Sequence, residues 1–274
     1  MEILPLTRNY TIAEGTVMYN KFSQDYDRFV NWENRLAYEL PFLLKQLEGA
    51  TPQPGMPLRV LDAACGTGQH VIALAKKGFD VIGADLSSEM IAVARANASV
   101  DGLDLRFEPV GFGSLAETFG FGSFNAILCL GNSLPHLLTP ADLAHALRDF
   151  SNCLTPGGIL IIQNRNFDAV LSSRSRWMEP ETHAEGDREW VFQRFYDFET
   201  DNLIRFNIVT LTRQTGKDWH ASLTATHLRP QTHHELTAAL AEAGLTDIQP
   251  FGSLSGEAFV PLSSGNLVLT AFKA

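Results

Sequence analysis

Residues 60–70, Val-Leu-Asp-Ala-Ala-Cys-Gly-Thr-Gly-Gln-His, join an acidic residue to two glycines separated by one residue, with apolar residues on both sides. Gly66 and Gly68 let the backbone pass close to a ligand, because they carry no side chain and accept conformations closed to other residues. The run Val-Ile-Gly-Ala ends at Asp85, 19 positions beyond Gly66. That is close to the offset of roughly 20 residues at which an acidic side chain meets ribose hydroxyls in nucleotide-binding βαβ units. Turn and carboxylate together point to an adenosine-containing ligand.

The turn narrows the choice. A dinucleotide fingerprint requires a third glycine where this chain has Val71, and a phosphate loop requires Gly-Lys-Ser/Thr, which does not follow Gly68. Asp62 places a negative charge where a pyrophosphate is repelled and a cationic amino acid is attracted. S-adenosylmethionine meets both conditions. The acidic residue followed by a Gly-x-Gly turn resembles the first motif of the class I S-adenosylmethionine-dependent methyltransferases. That resemblance implies a cosubstrate site built from Asp62, Ala64, Gly66, Gly68 and Asp85, with Leu86 and Met90 as an apolar adenine wall. It also brings Phe112 to stack on adenine and Leu130 beside the sulfonium.

A second segment, Leu-Cys-Leu-Gly-Asn-Ser-Leu-Pro-His-Leu at 128–137, carries Asn132, Ser133 and His136. With Asn-Arg-Asn-Phe-Asp at 164–168 it resembles the glycine and sarcosine N-methyltransferases. This likeness implies that Arg165 binds an acceptor carboxylate, a task suited to the planar guanidinium fork, and that Asn132 holds the acceptor near the methyl group. His136 either takes the proton released from an amine or caps its loop. Residues 18–35 resemble the helical cover of these enzymes, which implies that Arg35 contacts the cosubstrate carboxylate and that Tyr26 lines the acceptor side. Tyr19, Phe22, Tyr26, Phe29 and Trp32 recur at helical spacing, as in any buried helix face. Phe167 replaces the family tyrosine, and Gly111-Phe112-Gly113 stands where an acidic residue or Asn usually meets the adenine amine. Related sugar-amine methyltransferases share the layout, so an amino-sugar N-methyltransferase, a small-molecule O-methyltransferase and a noncatalytic S-adenosylmethionine sensor stay open. Motifs of nucleic-acid amino-methyltransferases and of C5-methylating enzymes are missing from the loop after the fourth strand.

These groups need a scaffold, and the expected one is α/β: a seven-stranded doubly wound, Rossmann-like core. Ser87 caps a helix reaching about Val100, Leu103–Val110 and Phe124–Leu130 are strands, and Thr139-Pro140 opens a helix with Leu143, Leu147, Phe150 and Leu154 buried. Thr-Pro-Gly-Gly at 155–158 turns the chain into a fifth strand ending at Gln163. About 65 residues follow that a minimal core does not need, with period-two alternation around 204–208 and 222–226. They form an antiparallel β insertion that roofs the crevice, extends the sheet edge or makes a dimer contact. Thr232 and Glu235 then open a helix, and closing strands Ile248–Phe251 and Asn266–Phe272 end the chain. As one domain, it divides into a helical cover and linker (1–57, the linker at Pro52–Pro57), a nucleotide-binding core (58–166), the insertion (167–231) and a closing region (232–274).

A chain of 274 residues, 45% hydrophobic and 19% charged, buries a substantial core. The net charge of −10 argues against nucleic acid as substrate, and no apolar run reaches the roughly 18 residues of a membrane span. Cys65, Cys129 and Cys153 read as reduced packing thiols and His233-His234 as a solvated helix start, so neither disulfide nor metal is expected. The reading is a cytoplasmic enzyme with a small-molecule acceptor, possible as a homo-oligomer, that aligns an amine with a sulfonium methyl.

Overall fold

The computed structural model describes residues 23, 25–50 and 57–274; Tyr19, Phe22 and the linker residues 52–56 lie outside them. A helical stretch at 25–29 leads into α1 (Trp32–Leu47), whose N-cap Asn31 accepts a bond from the Asn34 N–H. Strand β1 (Arg59–Asp62), α2 (Gln69–Ala75), β2 (Asp80–Asp85) and α3 (Ser88–Val100) form the first half of the core. Ser87 caps α3 by accepting from the Met90 N–H. Then come β3 (Arg106–Pro109), α4 (Leu115–Phe119), β4 (Phe124–Cys129), a 3-10 turn (Leu134–His136), α5 (Pro140–Cys153), β5 (Leu154–Arg165) and α6 (Phe167–Ser173). The insertion contributes β6 (Glu181–Glu185), β7 (Arg188–Phe198), β8 (Ile204–Gln214) and β9 (His220–Leu228), and the chain closes with α7 (His233–Glu242), β10 (Leu245–Phe251) and β11 (Asn266–Lys273).

The main sheet has the order β10-β11-β5-β4-β1-β2-β3, parallel except at β11, which runs antiparallel to both neighbours. Its buried strands send alternate side chains to two cores, as the pleat requires. Leu61, Ile127 and Cys129 meet Leu143, Leu147 and Phe150 of α5 and Leu236 and Leu240 of α7 on one face. Val60, Ala126 and Leu128 meet Leu43 of α1, Val71 and Leu74 of α2 and Ile91 and Ala94 of α3 on the other. Helices on both faces leave the carboxyl ends of β1, β2 and β4 open at one edge, where ligands bind in such sheets.

The expected strands and caps are present, with differences at the ends. Thr-Pro-Gly-Gly lies within β5: Leu154 pairs with Phe124 and Ile159 with Ala126, so residues 155–158 loop out as a bulge, with Gly157 at φ 73°. The third strand is shorter than Leu103–Val110, and α4, α6 and the 3-10 turn are too short to leave a periodic signal. The insertion is a four-stranded antiparallel sheet, β6-β7-β8-β9. All three cysteines are buried and unpaired with one another.

Candidate active site

A cavity of about 270 Å³ opens at the carboxyl ends of β1, β2 and β4. Asp85 ends β2, and its two carboxylate oxygens accept from the Gly66 and Ser87 N–H groups, each at 2.9 Å. One bond per oxygen fixes the carboxylate and leaves lone pairs for a diol. Burial raises its pKa, and these two N–H bonds offset only part of that rise. Asp62, at the end of β1, is 1% exposed; its Oδ1 is buried with no hydrogen-bond partner, although the Ala64 N–H bonds the carboxylate. Burial pushes the Asp62 carboxyl up to about 6, with the Asp85 charge adding to the rise. An unsatisfied buried carboxylate is costly unless a cation reaches it.

Leu86, Met90 and Phe112 form an apolar stretch of the wall beside Asp85. Leu86 is 61% exposed, leaning over Gly111, where a Cβ would lie 2.9 Å from it. Phe112 is propped edge-on against Phe150 at 5.3 Å, and its loop is held by Asp149, which accepts from Gly113, Leu115 and Ala116 N–H groups. A polar diol grip, an apolar slot and an unmatched anion suit an adenosine with a cationic amino-acid tail, so the residues present fit S-adenosylmethionine.

The roof comes from the N-terminal segment. Tyr26 stands over Gly66, 3.9 Å from where a Cβ would be, and its phenol bonds to Arg35. Arg35 also bonds Glu39 at 3.0 Å and lies over the Trp32 ring, while Glu39 meets His70 Nε2 at 2.7 Å. Burial opposes the charge on Arg35, but Tyr26 and Glu39 more than offset it and raise its pKa. Burial likewise opposes the charge on Glu39, yet His70 and Arg35 bring its carboxyl below the usual range. Asp27 fastens this roof to the core: it accepts from Trp32 Nε1 at 2.7 Å, from the Thr67 hydroxyl at 2.6 Å and from Asn97 Nδ2 at 2.9 Å.

The loop after β4 forms the other rim. Asn132 adopts a left-handed conformation, φ 65°, and its Oδ1 accepts from the Arg165 N–H at 2.8 Å. Gln163 braces the same loop, accepting from the Gly131 N–H through its side chain and from the Asn132 N–H through its carbonyl. Behind it, Gln231 donates to the Leu134 carbonyl and accepts from Asn164. His136 lines the cavity, and burial lowers its pKa to about 4, so its ring is neutral at neutral pH.

The structure thus gathers Tyr26, Arg35, Asp62, Ala64, Gly66, Asp85, Leu86, Met90, Phe112, Leu130 and His136 around one cavity. Gly68, Asn132 and Arg165 are not among its lining residues. At Gly68, φ 81°, a Cβ would lie 2.9 Å from both Ala94 Cβ and the Phe107 ring, so its open space is taken by protein atoms. Asn132 uses its side chain on the backbone of β5. Among residues the sequence reading passed over, Asp149 had a signal, an acid within the apolar stripe of α5. Asp27 had none, since its donors come from positions 32, 67 and 97.

Residues 60–158 match the methyltransferase domain family. Over 152 residues the chain is 39% identical to a glycine/sarcosine N-methyltransferase of Halorhodospira halochloris, a match spanning 55% of this chain and about half, 54%, of that relative. Another glycine/sarcosine N-methyltransferase, from Aphanothece halophytica, is 32% identical over 200 residues, 70% of this chain and 73% of the relative. The fold matches a crystal structure of an S-adenosylmethionine-dependent methyltransferase from Clostridium acetobutylicum with a TM-score of 0.73 at 19% identity, covering 93% of this chain and 99% of that one. Cavity chemistry, topology and relatives converge, and the chain belongs to the class I S-adenosylmethionine-dependent methyltransferases.

Proposed function

We propose that this protein transfers a methyl group from S-adenosylmethionine to the amine nitrogen of a small amino acid of the glycine or sarcosine type. The observation that carries this reading is the 2.8 Å bond from the Arg165 N–H to Asn132 Oδ1, which locks the loop after β4 to the end of β5 at the rim of the cosubstrate cavity. Asp85 takes the ribose hydroxyls, Leu86, Met90 and Phe112 enclose the adenine, and Asp62 and Arg35 receive the ammonium and carboxylate of the amino-acid tail. Bound S-adenosylmethionine supplies an activated methyl on a sulfonium, with an excellent leaving group already in place. Arg165 grips the acceptor carboxylate and so presents the amine. With a pKa of about 4, the His136 ring stays neutral and serves as a hydrogen-bond partner that orients the amine, since it does not hold a proton at neutral pH. The remaining contribution is alignment and exclusion of water, worth on the order of 7–11 kcal/mol when geometry is good.

Incubation of the purified protein with labelled S-adenosylmethionine and glycine, sarcosine, dimethylglycine, amino sugars or phenols tests the reading. Label passing into glycine or sarcosine supports it. Label passing only into an amino sugar or phenol, or cosubstrate binding with no transfer to any of them, overturns it.

A further inference from the structure

On strand β7, residues 190, 192, 194, 196 and 198 share one face of the insertion sheet. Phe192 packs against the N-terminal segment, edge-on to Phe29 at 5.5 Å. Tyr196, four residues on, packs against Phe167, which follows Arg165 by two positions at the end of β5. Arg194 lies between them, where the insertion crosses from the cover to the rim that carries Arg165. Its guanidinium sits over the Phe29 ring at 4.7 Å, and Phe29 in turn neighbours Tyr26 at 6.3 Å. Arg194 thus stands on β7 between Phe29 of the cover and Tyr196, which packs with Phe167 next to the β5 rim.

This guanidinium is poorly matched by protein. Nε is buried with no hydrogen-bond partner, and its carboxylate contact, Glu181 on the edge strand β6, is a single one at 3.5 Å, with half of the Glu181 side chain exposed. Arg165 makes no side-chain hydrogen bond or ion pair with any described residue. The two arginines also feel one another. Burial lowers the pKa of Arg194, Glu181 and Tyr196 counter this, and the Arg165 charge adds to the lowering. Two neighbouring cations with open donor forks and one loosely held carboxylate make a face that an anion completes.

We propose that Arg194 is a second acceptor contact, forming with Arg165 a two-guanidinium seat that restricts the acceptor to amines carrying an acidic group. This rests on the proposed acceptor reading and deepens it, since it assigns the specificity to a residue of the insertion. Amino acids satisfy the seat; amines without an acidic group, amino sugars among them, leave the partly buried Arg194 and the exposed Arg165 without a shared anion.

Malonate, whose carboxylates can engage both forks, is the probe. It is titrated calorimetrically into the full chain loaded with S-adenosylhomocysteine, as wild type, Arg165→Met, Arg194→Met and Arg194→Lys. Loss of charge-assisted bonds predicts about ten- to hundredfold weaker malonate binding in each methionine variant, partial recovery with lysine, and S-adenosylhomocysteine affinity within about twofold of wild type throughout. Wild type that fails to bind malonate, or Arg194→Met that binds it as wild type does, overturns the proposal. So does weakened S-adenosylhomocysteine binding in the Arg194 variants, which marks a structural role. If Arg194→Met does not fold, Arg194→Lys decides: wild-type malonate affinity there overturns the seat. Label transfer to sarcosine is scored separately, so malonate binding that depends on both arginines without sarcosine methylation removes the glycine-type acceptor and keeps the seat.

Discussion

The donor and acceptor halves of the proposed site are built on opposite plans. Around the cosubstrate, Asp62, Gly66 and Asp85 stand at the ends of adjacent parallel strands, and backbone N–H groups of Gly66 and Ser87 fix the Asp85 carboxylate. Apart from Arg35 on the cover, every key group lies within a few residues of a strand end, so the sheet itself sets most of the geometry. The proposed acceptor half draws on Tyr26 from the cover, His136 from a 3-10 turn, Arg165 from β5 and Arg194 from an added sheet, with side-chain bonds such as Asn132 to Arg165 and Gln231 to Leu134 bracing the loop after β4. The difference teaches where each half can change. Substitutions in the first should disturb cosubstrate binding and fold together, while those in the second should alter acceptor choice on an intact core.

The sharpest way to break that contrast is Asp85→Ala. Two charge-assisted bonds to the diol vanish and the Gly66 and Ser87 N–H groups lose their acceptor, so S-adenosylmethionine binding should weaken by about 3–4 kcal/mol, a few hundredfold or more. Calorimetry returning wild-type affinity would reject the ribose contact.

Asp62→Asn tests the same half from the opposite direction. The Asp62 pKa rises from an ordinary 3.8 to about 6 in the folded chain, chiefly by burial. A raised carboxyl means the folded state holds its proton more tightly. The associated stability is present below the unfolded value, is lost as pH climbs toward 6, and stays lost above it. About two pKa units correspond to about 3 kcal/mol at neutral pH. Asparagine should return most of that stability to the ligand-free protein while weakening the cosubstrate. Thermal unfolding between pH 4 and 8 should show the variant ahead at neutral pH and level with wild type near pH 4; parallel curves would refute the assignment.

Much of the donor half was legible because its chemistry is local. An acid before a Gly-x-Gly turn and a carboxylate closing the next strand are readable as spacing, and each apolar run flanking them had to be a buried strand. Helix caps at Ser87, Thr139 and Thr232 were equally local. What escaped was long-range. Asp27 meets partners up to 70 positions away, Gln231 reaches 97 back to Leu134, and Arg194 gains meaning only when β7 folds across the crevice. Gly68 shows a different limit: a glycine can clear space for a ligand or for a packed ring, and spacing alone does not say which.

Gly68→Ala and Gly66→Ala separate those two uses. At Gly68 the new Cβ would press on Ala94 and Phe107 at 2.9 Å in a left-handed conformation, and about 2–3 kcal/mol of stability should be lost. At Gly66 the nearest atom is Tyr26 at 3.9 Å, so only the backbone penalty of about 1 kcal/mol applies to folding. Denaturant unfolding should therefore rank Gly68→Ala well below Gly66→Ala. Equal losses would mean that Phe107 and Ala94 yield more readily than their packing implies.

Asp27→Ala probes the joint between the halves and should have the smallest effect. Asp27 ties the cover to the turn through Thr67 and to α3 through Asn97, and it also receives the Trp32 indole. None of these groups belongs to the two apolar cores, so global unfolding should shift by no more than about 1 kcal/mol. The cover that carries Tyr26 and Arg35 would nevertheless lose its anchor, and cosubstrate bound beneath it would pay to reorder the segment. About tenfold weaker S-adenosylmethionine binding is the expected result, arising in dissociation more than in association, because the roof acts after entry. Stopped-flow measurement of both rates distinguishes the possibilities. An unchanged dissociation rate would show that the cover holds its place without Asp27, through the Arg35–Glu39–His70 pairs and its packing of Phe29 on Phe192.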